Sequence, residues 1–336
     1  MSTTSDIQKL ENRLAEFAGR RGAALVGKAN TALYLSLRYL HEMRGSGDVI
    51  LSPIVCSSVV QTIIYAGFTP RFVDVLLPRC TIDPRSAAKA IGKDTRAIVA
   101  VHIFGYSADM PSLASLARQH DIWLIEDAAQ SIGGSIAGRR HGSWGNASLY
   151  SFGGSKIISA GGGGALVTDD NELVTFVRRH AQDYPPLVFD STFALLSLSH
   201  RNLVHGLIDL LRARRETPVW SSFANLVDAY RSLYLYAFPD DDRIVSGINA
   251  GLESLEDQSQ ARFRRVEAYR DGLAHLRPLL QLADRSDSEN IWRFTMLVAE
   301  EELATRATAA LRRCGLHDLQ GECARYSEFK GRRHRA

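Results

Sequence analysis

The sequence predicts an α/β protein with a mainly parallel sheet that is covered by helices on both faces. Through the first half of the chain, short apolar runs rich in β-branched residues alternate with helical patterns of ten or more residues. The chain has 336 residues, of which 45% are hydrophobic and 23% are charged. These values are ordinary for a soluble globular protein of about two domains with a large core.

The predicted elements follow one another closely. A strand in "AALV" leads through the turn "GKANT" to a helix, and a strand at Val49–Leu51 leads to a helix that ends at Gly67. "PRFVDV" is a strand, and the next helix starts after Asp83, a residue type that caps helices. A strand in "TRAIVAVHIFG", a helix in "MPSLASLARQHD" and a strand in "IWLIEDAAQ" complete the alternation. Because ligands bind beyond the carboxyl ends of such strands, we expect "GKANT", "VHIFG" and "EDAAQ" at one rim.

The pattern changes after Gly164. "ALVTDD" predicts one more strand, and residues 171–242 predict a helical insertion. "INAGLESLEDQSQARFRRVEAYRDGLAHL" predicts one long helix, followed by a strand in "WRFTMLVA" and a helix in "EELATRATAALRRCG". We therefore expect an N-terminal helix over 1–20, a large domain over 20–240 and a small C-terminal domain over 243–336.

Charge and cysteine content argue against several classes of protein. The net charge of +3 lies largely in the terminal "KGRRHRA", which is more typical of a solvated end than of a nucleic-acid site. We expect neither a zinc site nor a disulfide framework, because the four cysteines are scattered without a CxxC pair: Cys56, Cys80, Cys314 and Cys323. No apolar signal core or long apolar run is present, so we expect no membrane span and a cytoplasmic location.

One lysine stands out in the stretch "SLYSFGGSKIISAGGGGALVTDD". Lys156 follows a glycine-bounded strand, and an ammonium withdrawn from water is costly unless it has a partner or a chemical role. Asp127 follows an apolar strand and is expected at the same rim. Taken alone, the two residues are as consistent with a simple ion pair as with catalysis.

The turn "GKANTA" favours catalysis. It places Asn30 and Thr31 at a helix start, where free backbone N–H groups bind anions and side-chain amides and hydroxyls add donors. Ser151 adds a further donor from the strand before Lys156. A phosphate cradle, a lysine and a buried carboxylate together suit pyridoxal 5'-phosphate. The lysine forms the Schiff base, and Asp127 keeps the pyridine nitrogen protonated.

Several segments together resemble the DegT/DnrJ/EryC1/StrS family of pyridoxal-phosphate-dependent sugar aminotransferases. The matching segments include "GKANTALYLSL", "TRAIVAVHIFGYSADM" and "IWLIEDAAQSIGGSIAGRRHGSWGNASLYSF", and they occur in family order. The resemblance implies the aspartate aminotransferase (type I) fold, with a small C-terminal domain. It also implies amino transfer from an amino acid, with glutamate as the expected donor, to a keto sugar usually carried on a nucleotide. Family members are homodimers with shared active sites.

Carried over by position, the resemblance implies roles for individual residues. Lys156 is the Schiff-base lysine and proton shuttle, Asp127 pairs with the pyridine nitrogen, and Gln130 contacts the oxygen side of the ring. The phosphate is expected at the strand end and the helix start, which are formed by Ser151, Ala29, Asn30 and Thr31.

The chain departs from the family pattern at several positions. Ala29 replaces the usual glycine of the cradle, Cys56 lies where an aromatic often stacks on the ring, and Gly162 replaces a glutamate. Asp242 stands where an asparagine of the partner chain often meets the phosphate, which a carboxylate would repel. The chain also ends earlier than the family pattern, so we expect the last helices of the small domain to be reduced or absent.

Three functions stay open on these residues. The first is amino transfer. The second is another pyridoxal-phosphate reaction on the same scaffold, such as decarboxylation, elimination or carbon–carbon bond formation. The third is a catalytically silent homologue that acts as a partner subunit. His102 either faces the site or packs in the core, His141 is expected in a turn, and Arg293 either meets a carboxylate or is an exposed strand arginine.

Overall fold

The computed structural model describes residues 4–188 and 234–276, and most positions between 280 and 309. Its helices are α1 (Thr4–Ala18), α2 (Ala29–Arg44), α3 (Ser57–Tyr65), α4 (Pro84–Ala90), α5 (Met110–Gln119), α6 (Asn171–Ala181), α7 (Asp242–Glu253) and α8 (Leu255–Gly272). Its strands are β1 (Gly22–Val26), β2 (Asp48–Leu51), β3 (Thr69–Phe72), β4 (Val75–Leu76), β5 (Thr81–Ile82), β6 (Thr95–Val101), β7 (Trp123–Asp127), β8 (Ser135–Ile136), β9 (Arg139–Arg140), β10 (Ala147–Ser151), β11 (Gly164–Thr168), β12 (Leu280–Leu282) and β13 (Met296–Val298).

The central sheet of the described residues has the strand order β1-β11-β10-β7-β6-β2-β3. Strand β11 runs antiparallel to both of its neighbours, whereas the other neighbouring strands run parallel to each other. The remaining strands form short two-stranded ribbons. The predicted α/β fold with a mainly parallel sheet is therefore confirmed.

Apart from the edge strand β3, the sheet is buried on both faces, which explains why these strands carry apolar residues at consecutive positions. On β1, Ala24 and Val26 join a core with α2 and α6, whereas Ala23 and Leu25 join a second core with α1 and α7. A third core packs α4 and α5 against β6 and β7. The sheet is therefore a middle layer between helices, and only its edges and ends can hold a ligand.

The prediction of one continuous helix over "INAGLESLEDQSQARFRRVEAYRDGLAHL" is wrong. The segment forms two helices, α7 and α8, that meet at Ser254. The backbone N–H and the hydroxyl of Ser254 both donate to the Ala250 carbonyl, with the hydroxyl at 2.8 Å. A serine that bonds back in this way competes with the helical ladder and bends the helix. Leu255, the first residue after the break, packs in the core that also contains α1.

The strand predicted in "WRFTMLVA" is shorter than expected. Only Met296–Val298 pairs with a neighbour, antiparallel to β12. The N–H groups of Trp292 and Arg293 instead both donate to the Phe104 carbonyl, at 2.8 and 3.1 Å. These bonds remove both residues from the strand ladder and bring them to the rim of the central sheet.

The predicted helical insertion over 171–242 is described only at its ends. Helix α6 lies near its start and residues 234–242 form its end, whereas 189–233 lie outside the described residues. Helix α7 contributes Ile244 and Ile248 to the core that also contains α1. The domain boundaries near residues 20 and 240 stay predictions. None of the described helices combines the length and apolar character that a membrane crossing requires.

Candidate active site

The candidate site lies at the carboxyl edge of the sheet. Val26 ends β1, Asp127 ends β7 and Ser151 ends β10, and these three strands run in the same direction. Strand β11 runs the other way, so its first residue, Gly164, lies at this same edge and pairs with both Val26 and Ser151. The topology therefore brings the cradle, the carboxylate and the strand before the lysine to one rim.

Asp127 and Lys156 form the charged centre of this rim. Asp127 is buried, and its Oδ1 accepts a hydrogen bond from the Ala129 N–H at 3.0 Å. Burial raises the pKa of Asp127, and the Ala129 hydrogen bond and the Lys156 charge oppose that shift. Burial lowers the pKa of Lys156, and the Asp127 carboxylate raises it. The two groups thus lie within electrostatic reach of each other, with the aspartate buried and the lysine half-buried.

The start of α2 lies directly against the start of β11. Lys28 is the N-cap residue of α2 and forms no side-chain cap. The N–H groups of Ala29 and Asn30 follow, and in the first turn of a helix such groups have no partner within the helix. A Cβ on Gly164 would collide with the amide nitrogen of Ala29, so a glycine is required for this close approach. The helix start and the end of β10 are thereby held side by side.

The loop after β10 returns Lys156 toward Ser151. A Cβ on Gly153 would lie 3.9 Å from the Lys156 Cγ and 4.0 Å from the Ser151 Oγ. The rim thus combines backbone N–H groups, a hydroxyl and an ammonium, which are donors that phosphate accepts, with a buried carboxylate. A cradle that only a glycine leaves open, next to a lysine and an aspartate, fits pyridoxal 5'-phosphate.

Two predicted cradle side chains are engaged with the protein itself. Thr31 is fully buried, and its Oγ1 accepts a hydrogen bond from the Tyr236 N–H at 2.9 Å and lies 3.2 Å from the Tyr234 and Tyr236 carbonyls. The Asn30 Nδ2 donates to the Thr62 Oγ1 at 3.2 Å. Thr31 therefore ties α2 to residues 234–237, and the backbone of the cradle is better placed for an anion than the Thr31 hydroxyl.

Gln130 lies at the same rim, behind Asp127. It is buried, and its Oε1 accepts a hydrogen bond from the Phe104 N–H at 2.7 Å. Phe104 has a positive φ of 59°, a conformation that is uncommon for a bulky residue. The Gln130 oxygen holds this turn in place, which leaves the side-chain NH2 as the end of Gln130 that can meet a ligand.

His102 belongs to a buried network rather than to an open site. Its Nδ1 accepts from the Ala108 N–H at 3.1 Å, which assigns the proton to Nε2, and Nε2 donates to the Glu126 Oε1 at 3.0 Å. The ring stacks on His141 with centroids 3.8 Å apart. Both ring nitrogens of His102 are therefore occupied by protein groups, although its backbone N–H does donate to the Asp127 carbonyl at 3.1 Å.

Glu126 is the centre of this network, and it is not among the site residues predicted from the sequence. Besides His102, its carboxylate accepts from the Gly142 N–H, the Trp144 N–H and the Ser148 hydroxyl, at 2.8 to 3.0 Å. Burial alone would raise the pKa of Glu126, but these hydrogen bonds and the neighbouring histidines lower it to about 2. The signal available in the sequence was its place beside Asp127, on the opposite face of the same strand.

His141 lies in a turn, as the sequence predicts, but it is also fully buried. Its Nδ1 donates to the Ser131 carbonyl at 3.1 Å, and its Nε2 accepts from the Ser107 hydroxyl at 2.9 Å. Burial holds the pKa of His141 well below its usual value. His141 therefore remains neutral and packs beneath the site.

Cys56 lies close to Lys156, whereas Asp242 is exposed on a neighbouring helix. Cys56 is the N-cap residue of α3, and its Sγ accepts from the Ser58 hydroxyl at 3.1 Å. Cys56 lies near enough to Lys156 to influence its pKa, after the larger effects of burial and Asp127. Asp242 is exposed in the first turn of α7. Helix α7 packs against the loop that carries the lysine, since a Cβ on Gly247 would contact Ala160.

Two further residues at the rim were not predicted. Burial lowers the pKa of Lys28 to about 8, and its ammonium lies 5.0 Å from the centre of the Tyr236 ring. The Trp292 indole lies against Lys156, whose Nζ is 4.9 Å from the ring centre, and its Nε1 donates to the Ser155 carbonyl at 2.7 Å. The position of Lys28 directly before the cradle was a usable signal, whereas the return of Trp292 to this rim depends on the fold.

A type I α/β sheet with a lysine, a buried aspartate and an anion cradle at its carboxyl edge defines the class of pyridoxal-phosphate-dependent transferases. The sequence matches the model of the DegT/DnrJ/EryC1/StrS aminotransferase family over residues 1–183. The chain belongs to this family, which confirms the resemblance found in its sequence.

Named relatives match the same part of the chain. The spore coat polysaccharide biosynthesis protein SpsC of Bacillus subtilis is 37% identical over 179 residues, which are 53% of this chain and 46% of SpsC. A UDP-N-acetyl-3-dehydro-alpha-D-glucosamine 3-aminotransferase of Acidithiobacillus ferrooxidans is 40% identical over 163 residues, which are 47% of this chain and 44% of that protein. The chain thus matches about half the length of these curated relatives.

Solved structures show the same fold over most of the chain. DesV of S. venezuelae is 25% identical, superposes with a TM-score of 0.68, and is matched over 92% of this chain and 73% of DesV. The likeness in fold therefore extends beyond the residues that the sequence comparisons match.

Proposed function

We propose that the chain is a pyridoxal-phosphate-dependent aminotransferase that moves an amino group from an amino acid to a keto sugar carried on a nucleotide. The observation that carries this proposal is the placement of Lys156 within electrostatic reach of the buried Asp127 at the sheet edge, beside the start of α2. A half-buried lysine with a buried acidic neighbour provides both the nucleophile and the charge that the cofactor requires.

The cofactor, when bound, supplies an electron-withdrawing ring that stabilises negative charge at the substrate carbon. The Asp127 carboxylate would hold a proton on the ring nitrogen, because a buried carboxylate favours a cationic partner over solvent. The backbone of Ala29 and Asn30, with the Ser151 hydroxyl, would hold the phosphate. The Gln130 side-chain NH2 would contact the oxygen side of the ring.

Lys156 has two tasks in this proposal. Its amine would hold the aldehyde carbon of the cofactor at rest, and after release it would carry the proton between the substrate carbon and the cofactor. Both tasks need the neutral amine for part of the cycle, and burial favours that form by lowering the pKa of Lys156. The Trp292 indole lies against the lysine, with the Lys156 Nζ 4.9 Å from the ring centre.

The acceptor and the assembly are proposed from the relatives. Proteins similar to this chain include GDP-perosamine synthase of Vibrio cholerae, 32% identical over 168 residues, and the amino-sugar aminotransferase of A. ferrooxidans. We extend this sugar chemistry to the present chain and propose that it acts as a homodimer with shared sites in the cytoplasm. Asp242, exposed on α7, would then face the partner's cofactor phosphate.

The test is the first half of the reaction, followed in the cofactor spectrum. Purified full-length protein loaded with pyridoxal 5'-phosphate is mixed with glutamate, and 2-oxoglutarate is measured as the absorbance changes to that of the amine form. The matched control is Lys156→Ala, which we expect to lose both the lysine-dependent visible band and the formation of 2-oxoglutarate.

Two results would overturn the proposal. A loaded wild-type protein that forms no keto acid from glutamate or any other standard amino acid is not an aminotransferase. A Lys156→Ala variant that keeps the visible band and the turnover would remove the lysine from the chemistry.

A further inference from the structure

Trp292 is anchored at the rim by its backbone and by its indole N–H. Its backbone N–H donates to the Phe104 carbonyl at 2.8 Å, and its indole Nε1 donates to the Ser155 carbonyl at 2.7 Å. A Cβ on Gly105 would lie 2.6 Å from the Trp292 backbone nitrogen, so Trp292 lies directly on the turn that follows β6. The indole therefore connects this turn to the loop that carries the lysine.

The lysine loop is anchored differently on its two sides. After Lys156, residues 157–158 are buried in the core that contains α1. Before it, residues 153–154 are glycines, which give the backbone more freedom than any other residue type, and a Cβ at position 154 would meet nothing within 4 Å. The bond from the Trp292 indole to the Ser155 carbonyl therefore fixes the side of the loop that the core does not hold.

The ring of the same indole lies against the amine. The Lys156 Nζ is 4.9 Å from the centre of the Trp292 ring, within the distance at which an aromatic face attracts an ammonium. The ring therefore favours the charged form of Lys156 and restricts where its amine can lie. Trp292 thus contacts the lysine loop at two points, the backbone before Lys156 and the end of its side chain.

Other groups also act on this amine. Burial lowers the pKa of Lys156, the Asp127 carboxylate and Cys56 raise it, and the Arg293 guanidinium lowers it. The guanidinium carbon of Arg293 lies 4.1 Å from the centre of the Trp292 ring, so a change of the ring can also move this charge. Loss of the ring and loss of the Arg293 charge act on the Lys156 pKa in opposite directions, which allows the two to be distinguished.

We propose that Trp292 is a positioning residue for Lys156. The indole N–H fixes the backbone before the lysine, and the ring face holds the amine at the sheet edge, where it can reach the aldehyde carbon of the cofactor. The purpose of this arrangement rests on the proposed aminotransferase function, whereas the contact between ring and amine can be tested without the cofactor.

The experiment uses the cofactor-free full-length protein and two probes. Acetic anhydride labels a neutral amine whatever its orientation, so the pH dependence of Lys156 labelling, measured by mass spectrometry, gives the midpoint of that amine. Pyridoxal 5'-phosphate needs an amine that is also correctly placed, and its capture is followed in the visible band. We expect Trp292→Leu to lower the midpoint by about half a pH unit. Cofactor capture above the midpoint should slow by about 10- to 100-fold.

Matched variants separate the contacts of Trp292. Trp292→Phe keeps a ring face but lacks the N–H, so its midpoint should stay closer to wild type than that of Trp292→Leu, while capture still slows. Arg293→Gln removes the neighbouring charge and should raise the midpoint. Trp144→Leu removes an indole whose ring carries Arg139, at 4.2 Å, instead of the lysine, and should match wild type with both probes. Equal melting temperatures of the variants would show that they fold.

The outcomes decide as follows. Slower cofactor capture by Trp292→Leu, with a lower midpoint and undiminished labelling at high pH, supports the inference. Unchanged capture overturns it, and so does an equal loss of rate with both probes, because reactivity rather than position would then have changed. A midpoint that rises in Trp292→Leu also overturns it, since the ring would not hold the ammonium. A wild-type protein that never forms the Lys156-dependent band contradicts the proposed function itself, and the labelling midpoint still decides whether the ring holds the amine.

Discussion

Glu126 and Asp127 are adjacent carboxylates at the end of one buried strand, yet their surroundings differ. Glu126 faces a closed network and accepts hydrogen bonds from two backbone N–H groups, a hydroxyl and His102. Asp127 faces the rim, where it accepts from Ala129 and shares the site with Lys156. A buried carboxylate whose oxygens all accept hydrogen bonds from the protein supports the fold. A carboxylate that can still accept further hydrogen bonds is available to a ligand.

The largest expected effect comes from Asp127. Asp127→Asn preserves the shape but removes the charge that would hold a proton on the cofactor ring. We expect the rate of the glutamate half-reaction to fall by about 10²- to 10³-fold, which is typical for the loss of one electrostatic contact in a preorganised site. Stopped-flow absorbance measures this rate, and calorimetry should show a melting temperature close to that of wild type.

An Asp127→Asn variant with nearly normal half-reaction rates would break the comparison, because Asp127 would then have no more chemical role than Glu126. Glu126→Gln is the control on the same strand. Its loaded and folded fraction should react much faster than Asp127→Asn.

Glu126→Gln should instead affect stability. An amide presents a donor where Gly142, Trp144, Ser148 and His102 already supply donors, so at least one buried group loses its partner. We expect the free energy of unfolding to fall by about 3 kcal/mol, the cost of disrupting a buried charged network. Chemical denaturation with urea measures this value.

The low pKa of Glu126 predicts that the fold loses stability in acid. The pKa of Glu126 is about 2 in the fold and 4.5 ordinarily, so its ionised form stabilises the fold above pH 4.5. That contribution should disappear as the pH falls from 4.5 toward 2, and Glu126→Gln should lack this part of the pH dependence. A variant as stable as wild type, with the same acid profile, would contradict the structural role.

The smallest expected effect is a shift in a pH profile. In the cofactor-free protein, the rate at which Lys156 reacts with pyridoxal phosphate should rise with pH, because only the neutral amine reacts. Burial lowers the pKa of Lys156 and Asp127 raises it, so Asp127→Asn should move the midpoint to lower pH. A midpoint that moves upward would place the Asp127 charge out of reach of the lysine.

Much of the fold could be predicted because the sheet is buried on both faces. Strands with a continuous apolar run, such as residues 97–101 of β6, separated by amphipathic helices, leave few arrangements other than a covered parallel sheet. Asp127 and Lys156 could be selected for a related reason, since each is a charged residue next to an apolar or glycine-rich segment at a strand end.

The rest of the site depends on tertiary contacts that local patterns do not encode. His141, in "GRRHGSWG", has the sequence of a turn, and only the packing of His102 and Glu126 buries it. Trp292 and Arg293 read as part of a strand, but one carbonyl, that of Phe104, takes both of their N–H groups. The break at Ser254 was missed because the residues on either side of it are good helix formers.

The reversed strand β11 sets the scale of the whole rim. Gly164 is paired with Ser151 on one side and with Val26 on the other. The two hydrogen-bond ladders therefore fix the distance between the anion cradle and the loop that carries the lysine. A slip of one residue in either ladder would bring the methyl group of Ala165 to the place where only hydrogen now fits beside Ala29. The register of the sheet therefore sets the distance between the anion cradle and the lysine loop. A chain with a shifted register would not bind the same small molecule.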